Sequence, residues 1–166
     1  MDIFIGYDSP HPIAFAVAAT SARRYCHTQD NVRGLNLQSL QERGLYTRPT
    51  EVREGQLWDV ISEAPMSTEF AISRFLAYEM GEDALSLFMD CDMLLRSPLR
   101  ALDRQADENP HIAVWCVKHP HIEVATQPQS RKMDGRAQTY YARKNWSSFM
   151  IINRRHKANE WLTGEN

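Results

Sequence analysis

The feature that most constrains the fold is the apolar run at residues 85–95, which is interrupted only by Ser86, Asp90, Cys91 and Asp92. Apolar runs of this length are typical of a strand that is covered on both faces of a sheet. Because side chains at positions i and i+2 of a strand point the same way, Asp90 and Asp92 are predicted to present two carboxylates to one point, with Cys91 facing away. Buried carboxylates without a partner are too costly to keep. The pair therefore needs a divalent cation, a basic side chain, or a position at the wet carboxyl end of the strand.

The cation is the most specific of these three interpretations. Ligands that are all oxygen suit a hard ion such as Mg²⁺ or Mn²⁺, which keeps open positions for substrate phosphates. The alternative is a strand that ends at Met89 and is followed by two solvated acids in a turn. The apolar residues at 93–95 favour the longer strand, because a turn has no need of them.

The bulk composition indicates one globular domain. The chain has 166 residues, of which 43% are apolar and 24% charged, and this length is sufficient to bury a substantial core. The formal charge of −2 argues against nucleic acid as a partner, although residues 131–157 are locally basic. That basic segment is either a phosphate-binding surface or an ordinary solvated face.

Cysteine usage and the amino terminus bear on the compartment. Cys26, Cys91 and Cys116 are far apart and lack CxxC spacing, so they suggest neither a disulfide framework nor a zinc site. No signal peptide is recognisable, and no transmembrane segment is predicted because no apolar run is long enough to span a bilayer. We therefore expect a cytoplasmic protein.

Predicted strands alternate with predicted helices along the chain. The strands are expected at residues 2–8, 31–37, 85–95, 111–118 and 147–153, and the helices at 11–25, 39–43, 67–80, 98–102 and 154–162. Residues 46–63 form a long excursion with no assigned chemistry. This alternation predicts a layered α/β domain with a mainly parallel central sheet, in which ligands bind beyond the carboxyl ends of the strands. The rule brings Asp8, Asp92 and the region of His119 to one edge.

Two of the predicted helices carry specific expectations. The helix over residues 11–25 has two apolar rows, so we expect it to be buried on two faces. The rows are Ile13, Ala16 and Val17, and Phe15, Ala18 and Ala22. The helix over residues 67–80 is expected to begin at Ser67 or Thr68, with Glu69 in its first turn.

Arg74 lies on this second helix. A core stripe is predicted from Ile72, Phe75 and Leu76. This stripe puts Arg74 on the opposite side of the helix, where it can brace a carboxylate or hold a diphosphate bidentately. A plain surface arginine is the alternative.

Several short segments, taken in order, resemble glycosyltransferase-like proteins of the A-type fold. They are residues 3–10, 67–75, 87–92, and 132–135 together with 144–153. The resemblance covers nearly the whole chain, and it implies a Rossmann-like layered α/β/α domain of the nucleotide-diphospho-sugar transferase type. It also implies a nucleotide-diphosphate sugar as donor and an acceptor that the sequence does not identify.

The resemblance implies roles for individual residues. Asp90 and Asp92 would hold Mn²⁺ or Mg²⁺ against the donor diphosphate, with Asp90 nearer the ribose and Asp92 the firmer metal ligand. Arg74 would steady the diphosphate and the two aspartates. Residues at the head of the first and last strands complete the site: Tyr7 and Asp8 would contact the nucleotide, and Ser147 and Ser148 would line the sugar pocket. No catalytic residue is assigned, nor is inversion or retention.

One departure from the family pattern concerns the carboxyl terminus. Similar proteins continue beyond the position of Asn166, and that part usually supplies a further metal ligand, commonly histidine, and much of the acceptor site. We therefore expect residues 1–166 to form a single domain that is incomplete at its carboxyl end. The chain would then be an active enzyme that finds its last ligand elsewhere, with His119 and His121 as the nearest substitutes. The alternatives are a fragment of a longer protein, or a nucleotide-sugar-binding or interaction domain without activity.

Two other enzyme classes also use paired acids. A haloacid-dehalogenase-type phosphatase would place the pair on the first strand and use the first acid as nucleophile. A nucleotidyltransferase would need a third acid and a Gly-Ser helix start. The sequence has its acid pair in mid-chain and lacks the Gly-Ser start, so both classes are less favoured.

Overall fold

A computed structural model of the chain describes residues 1–26, 32–117 and 146–162. The strands are β1 (Asp2–Gly6), β2 (Val32–Leu35), β3 (Thr50–Arg53), β4 (Gln56–Asp59), β5 (Ala64–Pro65), β6 (Leu85–Met89), β7 (Val114–Cys116) and β8 (Phe149–Asn153). The α-helices are α1 (Pro12–Tyr25), α2 (Leu37–Glu42) and α3 (Arg100–Glu108), and short 3₁₀ helices span Ser73–Ala77 and Lys157–Asn159. Among the described residues, no helix combines the length and the hydropathy required to cross a bilayer.

Five strands form the main sheet, in the order β2-β1-β6-β8-β7. β1 is parallel to both β2 and β6, whereas β8 is antiparallel to both of its neighbours, β6 and β7. Four strands therefore run in one direction and β8 runs in the other. The predicted layered α/β class with a mainly parallel sheet is confirmed.

The centre of the core is formed by β1 and β6, in which every residue is buried. Six large apolar side chains of these strands have no exposed surface: Ile3, Phe4, Ile5, Leu87, Phe88 and Met89. Full burial of one such side chain stabilises a fold by about 1.5–3 kcal/mol. These two apolar runs therefore fix the middle of the sheet.

A second, antiparallel sheet of order β3-β4-β5 occupies the region that the sequence left as an excursion. Glu54 and Gly55 connect β3 to β4, with φ angles of 50° and 79°. Positive φ at both central residues is the geometry of a tight hairpin turn whose twist matches that of the strands. At the end of β4, the buried carboxylate of Asp59 accepts hydrogen bonds from Arg48 and Ser62.

The expectation that α1 is buried on two faces is wrong. Ile13 is 78% exposed and Val17 is 50% exposed, whereas Ala18, Ala19 and Ala22 are buried. The small alanine side chains let the helix lie close against the sheet, so one face is covered and the apolar row on the other side faces solvent.

The predicted helices over residues 67–80 and 154–162 are replaced by turns and the two 3₁₀ helices. In the first segment, the backbone N–H of Glu69 donates to a carboxylate oxygen of Asp8, and Arg74 is buried although the prediction placed it on the side opposite the core stripe. In the second segment, Asn159 Nδ2 donates to the carbonyls of Ala113 and Asn153 at 2.8 Å each. Hydrogen bonds to distant residues thus override local helix propensity in both places.

Candidate functional site

Three strand ends meet at the carboxyl edge of the main sheet. β1 runs into Tyr7 and Asp8, and its parallel neighbour β6 runs into Asp90. Because β8 is antiparallel to β6, its beginning lies at the same edge, and the backbone N–H of Asp90 donates to the carbonyl of Ser148 at 2.9 Å. The sheet therefore brings the strand-end residues predicted from the sequence to one edge.

Arg74 is buried at this edge, with 6% of its surface exposed. Its guanidinium lies over the rings of Phe70 and Phe88, with Cζ 5.4 and 5.1 Å from the two ring centroids. Nε donates to the carbonyl of Phe70 at 3.3 Å, and Nη1 donates to the carbonyl and the hydroxyl of Ser147 at 3.0 Å each. Nη1 also lies 3.3 Å from Oδ1 of Asp90. Ring contacts and hydrogen bonds together hold the positive charge in one orientation beside the first acid.

The prediction that Asp90 and Asp92 lie within a strand is wrong. β6 ends at Met89, and the chain turns so that the carbonyl of Asp90 accepts from the N–H of Met93 at 3.3 Å. The Asp90 side chain is 17% exposed, and Asp92 is exposed. Of the three ways to accommodate this pair of acids, the structure provides two: the basic side chain of Arg74 and the wet carboxyl end of the strand.

The pKa of the Cys91 thiol is sensitive to the negative charge at this edge. Burial and, to a smaller extent, the nearby carboxylates of Asp92, Asp8 and Asp90 together raise the pKa of Cys91 to about 11. The three carboxylates thus act on the same point, although they come from two different strand ends. A concentration of negative charge of this kind attracts cations.

Asp8 is 4% exposed. Its carboxylate contacts two segments: the one that follows β1 and the one that precedes the 3₁₀ helix Ser73–Ala77. Its Oδ1 accepts from the backbone N–H of Glu69 at 3.0 Å, and its Oδ2 lies 3.6 Å from Nδ1 of His11. In return, Oε2 of Glu69 accepts from the backbone N–H of Ser9 at 3.1 Å and from its hydroxyl at 2.8 Å.

Sequence reasoning assigned no site role to Ser9, His11 or Glu69. Ser9 and Glu69 are 60 residues apart, so no local spacing signals their contact. Both lie inside segments that resemble the glycosyltransferase-like proteins, and that resemblance was the one available signal. Glu69 is therefore hydrogen-bonded to the residues that follow β1. The prediction that it lies in the first turn of an α-helix is wrong.

The other predicted site residues are half-buried at the same edge. The ring of Tyr7 packs edge-on against the ring of Phe15, with centroids 5.3 Å apart. Ser147 and Ser148 lie in the turn that leads into β8 and make the contacts with Arg74 and Asp90 described above. All six residues expected to bind substrate, and the second acid of the pair, thus surround the ends of β1, β6 and β8.

Within residues 1–26, 32–117 and 146–162, no group of three or more His, Cys, Asp and Glu side chains is arranged to hold a metal ion. His119 and His121 lie outside the described residues. The carboxylates of Asp90 and Asp92, which follow β6, offer oxygen donors at this edge. Oxygen donors are the type that Mg²⁺ and Mn²⁺ prefer, and Mg²⁺ is commonly held by only one or two protein carboxylates together with water and phosphate oxygens.

Comparison with known protein sequences finds a relative from a plant. The chain is 33% identical over 164 residues to "Protein CDI" of Arabidopsis thaliana, a match that covers 98% of this chain and 56% of the relative. The chain thus spans just over half the length of that protein. No protein-family model matches the chain.

Comparison with solved structures identifies the fold. The crystal structure of an active-site mutant of LgtC, a glycosyltransferase, matches 93% of this chain and 58% of its own, with a TM-score of 0.50 and 16% identity. The structure of the glycosyltransferase GlyE of Streptococcus pneumoniae TIGR4 matches 97% of this chain and 36% of its own, with a TM-score of 0.46 and 10% identity. The chain therefore has a glycosyltransferase-like fold.

Proposed function

We propose that this chain is a metal-dependent glycosyltransferase domain, which binds a nucleotide-diphosphate sugar and transfers the sugar to an acceptor. The observation that carries the proposal is the contact of buried Arg74 with Asp90 at the carboxyl edge of a glycosyltransferase-like sheet, two residues before the exposed Asp92. Open α/β sheets bind their ligands at this edge. A buried arginine beside one acid, with a second and exposed acid two residues later, is an arrangement suited to a diphosphate together with a divalent ion.

Asp90 and Asp92 are the residues that would hold Mn²⁺ or Mg²⁺. Their all-oxygen donor set fits a hard cation, and such ions take their remaining ligands from water and from substrate phosphates. When bound, the ion would neutralise negative charge on the departing diphosphate. The exposed carboxylate of Asp92 is the more accessible of the two, in keeping with its proposed role as the firmer ligand.

Arg74 would stabilise the same developing charge from the protein side. Breaking the bond between the sugar and the diphosphate leaves negative charge on the terminal phosphate, while the sugar acquires oxocarbenium character. Because the guanidinium is held by Phe70, Phe88 and Ser147 before any ligand arrives, little reorganisation is needed. Its burial makes the electrostatic attraction stronger than it would be in water.

The remaining residues are proposed to recognise the two ends of the donor. Tyr7 and Asp8, at the end of β1, would contact the nucleotide. Ser147 and Ser148, at the start of β8, would line the sugar pocket. The acceptor would form a bond to the anomeric carbon and release a proton to solvent as the bond to the diphosphate breaks.

Thermal unfolding in the presence of nucleotide sugars tests this proposal. We expect UDP- or GDP-linked sugars with Mn²⁺ to raise the Tm by about 5–10 °C, because a ligand at 100 times its Kd stabilises the folded state by about 2.7 kcal/mol. Omitting Mn²⁺ or introducing Asp92→Ala should abolish the shift.

Asp107→Ala is the matched control, since Asp107 is an exposed acid on α3. This control variant should keep the shift of the wild-type protein. An equal shift in Asp92→Ala and in the wild-type protein would show that the metal site is assigned to the wrong residue.

A further inference from the structure

Two loops that are distant in sequence are joined by reciprocal hydrogen bonds, in which a carboxylate of each loop accepts from donors of the other. The nucleotide loop (residues 7–11) provides the Asp8 carboxylate, which accepts from the backbone N–H of Glu69 at 3.0 Å. Glu69 provides the carboxylate that accepts from the backbone N–H and the hydroxyl of Ser9 at 3.1 and 2.8 Å. Each loop thus supplies one acceptor and at least one donor to the other, and both acceptors are charged. Hydrogen bonds to carboxylates are roughly twice as strong as bonds between neutral groups.

This junction continues directly to the arginine of the site. Phe70 follows Glu69 in the chain and packs against Gly6, where an added Cβ atom would lie 2.5 Å from Cγ of the Phe70 ring. The carbonyl of Phe70 accepts from the backbone N–H and from Nε of Arg74, at 3.3 Å each. A short series of contacts therefore leads from Ser9 through Glu69 and Phe70 to the guanidinium.

The position of Glu69 suggests a role beyond joining two loops. Ser9 is exposed and Glu69 is half-buried, so water competes for these hydrogen bonds and their contribution to global stability is modest. A carboxylate at this edge would also repel a diphosphate, which is a cost that a neutral residue would avoid. Holding the nucleotide loop in place before binding reduces the entropy lost when the ligand orders it.

We infer that Glu69 is a positioning residue, which fixes the nucleotide loop relative to Arg74 so that one ligand can contact both. The inference rests on the function proposed above and assigns Glu69 no contact with the ligand. It predicts that Glu69 contributes to binding of a nucleoside diphosphate, which spans both parts, and not to binding of pyrophosphate, which reaches only the arginine and the acids.

Calorimetric titration tests this distinction. The titrants are Mn²⁺ with pyrophosphate, and Mn²⁺ with UDP or GDP, whichever gives the larger thermal shift. Glu69→Ala should weaken the nucleoside diphosphate about tenfold and leave pyrophosphate within twofold. Equal weakening of both ligands, or of neither, would overturn the inference.

A control variant at another hydrogen-bonded glutamate tests whether the effect is specific to the position of Glu69. The control is Glu42→Gln. In the wild-type protein, the Glu42 carboxylate accepts from Gln38 Nε2 at 2.9 Å on the exposed surface of α2. This variant should bind both ligands as the wild-type protein does. Weakening of the nucleoside diphosphate in Glu42→Gln by the same factor would count against the inference.

Amide hydrogen exchange tests the junction whether or not the protein binds a nucleotide. Exchange of the backbone N–H of Ser9 should be at least tenfold faster in Glu69→Ala, and moderately faster in Ser9→Ala, which removes only the hydroxyl donor. Exchange in Glu42→Gln should be unchanged. Wild-type exchange at position 9 in Glu69→Ala would overturn the inference, whereas failure of the wild-type protein to bind any nucleotide would count against the proposed function alone.

Discussion

Two pairs of arginine and aspartate in this molecule differ in their surroundings, and the difference separates a structural ion pair from a candidate binding site. In the small sheet, Nε and Nη2 of Arg48 donate to the two oxygens of Asp59 at 3.0 and 2.6 Å, and Ser62 adds two further donors. Asp59 is 1% exposed. The carboxylate is therefore enclosed by groups of its own fold.

At the carboxyl edge of the main sheet, Arg74 divides its donors between Asp90, Ser147 and Phe70. The Asp90 side chain is 17% exposed, and exposed Asp92 follows two residues later. A charged group that contacts solvent can replace its bound water with a ligand. A fully enclosed ion pair cannot contact a ligand and can act only on the stability of the fold. Burial of charge alone thus does not identify a site, and access to the edge of the sheet does.

The largest effect is expected from breaking the enclosed pair. Asp59→Ala leaves the guanidinium of Arg48, which is 13% exposed, without its partner, and loss of one member of a buried ion pair costs about 3–5 kcal/mol. Urea unfolding followed by circular dichroism measures the loss. Asp59→Asn, which retains one acceptor, should lose less. Wild-type stability in Asp59→Ala would remove the structural half of the comparison.

A smaller effect is expected from pH. Hydrogen bonds from Arg48 outweigh burial, which alone would raise the pKa, and together with hydrogen bonds from Ser62 they hold the pKa of Asp59 at about 2, below its ordinary value. The folded state therefore favours the ionised form, so this stabilisation is complete above the unfolded pKa and is lost as the pH falls from about 5 towards 2. The shift corresponds to about 2 kcal/mol.

The pH dependence is measured as the difference in unfolding free energy between the wild-type protein and Asp59→Asn across this range. The difference should shrink as the pH falls. A difference that stays constant down to pH 2 would contradict the assigned ion pair.

The smallest expected loss sharpens the other side of the comparison. Arg74→Lys retains the charge but loses the planar donor geometry that reaches Ser147 and Phe70, so nucleotide affinity should fall about tenfold, equivalent to about 1.4 kcal/mol. Calorimetric titration with Mn²⁺ and UDP or GDP gives the affinity. Arg48→Lys should lower stability and leave the affinity of the folded protein unchanged. The opposite pattern would mean that the two pairs have exchanged roles.

The sequence located the strands that build the site because their apolar runs are buried on both faces. β1, β6 and β8 were predicted near their observed positions, and the direction of β1 and β6 brings Asp8 and Asp90 to one edge. Short, half-exposed strands such as β3 carry a weaker pattern, because only part of their surface needs to be apolar. The hairpin of β3 and β4 was missed for this reason.

The end of β6 was also misjudged, for a different reason. Met93 and Leu95 are apolar because they pack against the core from an irregular segment, and Leu94 is 58% exposed. An apolar run reports burial and does not distinguish a strand from a buried turn. The two acids reach the edge by a turn after Met89, although the sequence suggested a continuing strand.

The sequence alone determined which segments form the sheet and, through the resemblance, which residues belong to its edge. Only the tertiary structure decided the partners of those residues: Ser9 with Glu69, Arg74 with Ser147, and Asp8 with the backbone of a loop 61 residues away. Local patterns indicate which residues are buried, because apolar side chains recur along a strand or helix with a period of a few residues. A hydrogen bond across the sheet edge depends on how distant segments are brought together, and no spacing along the chain encodes it.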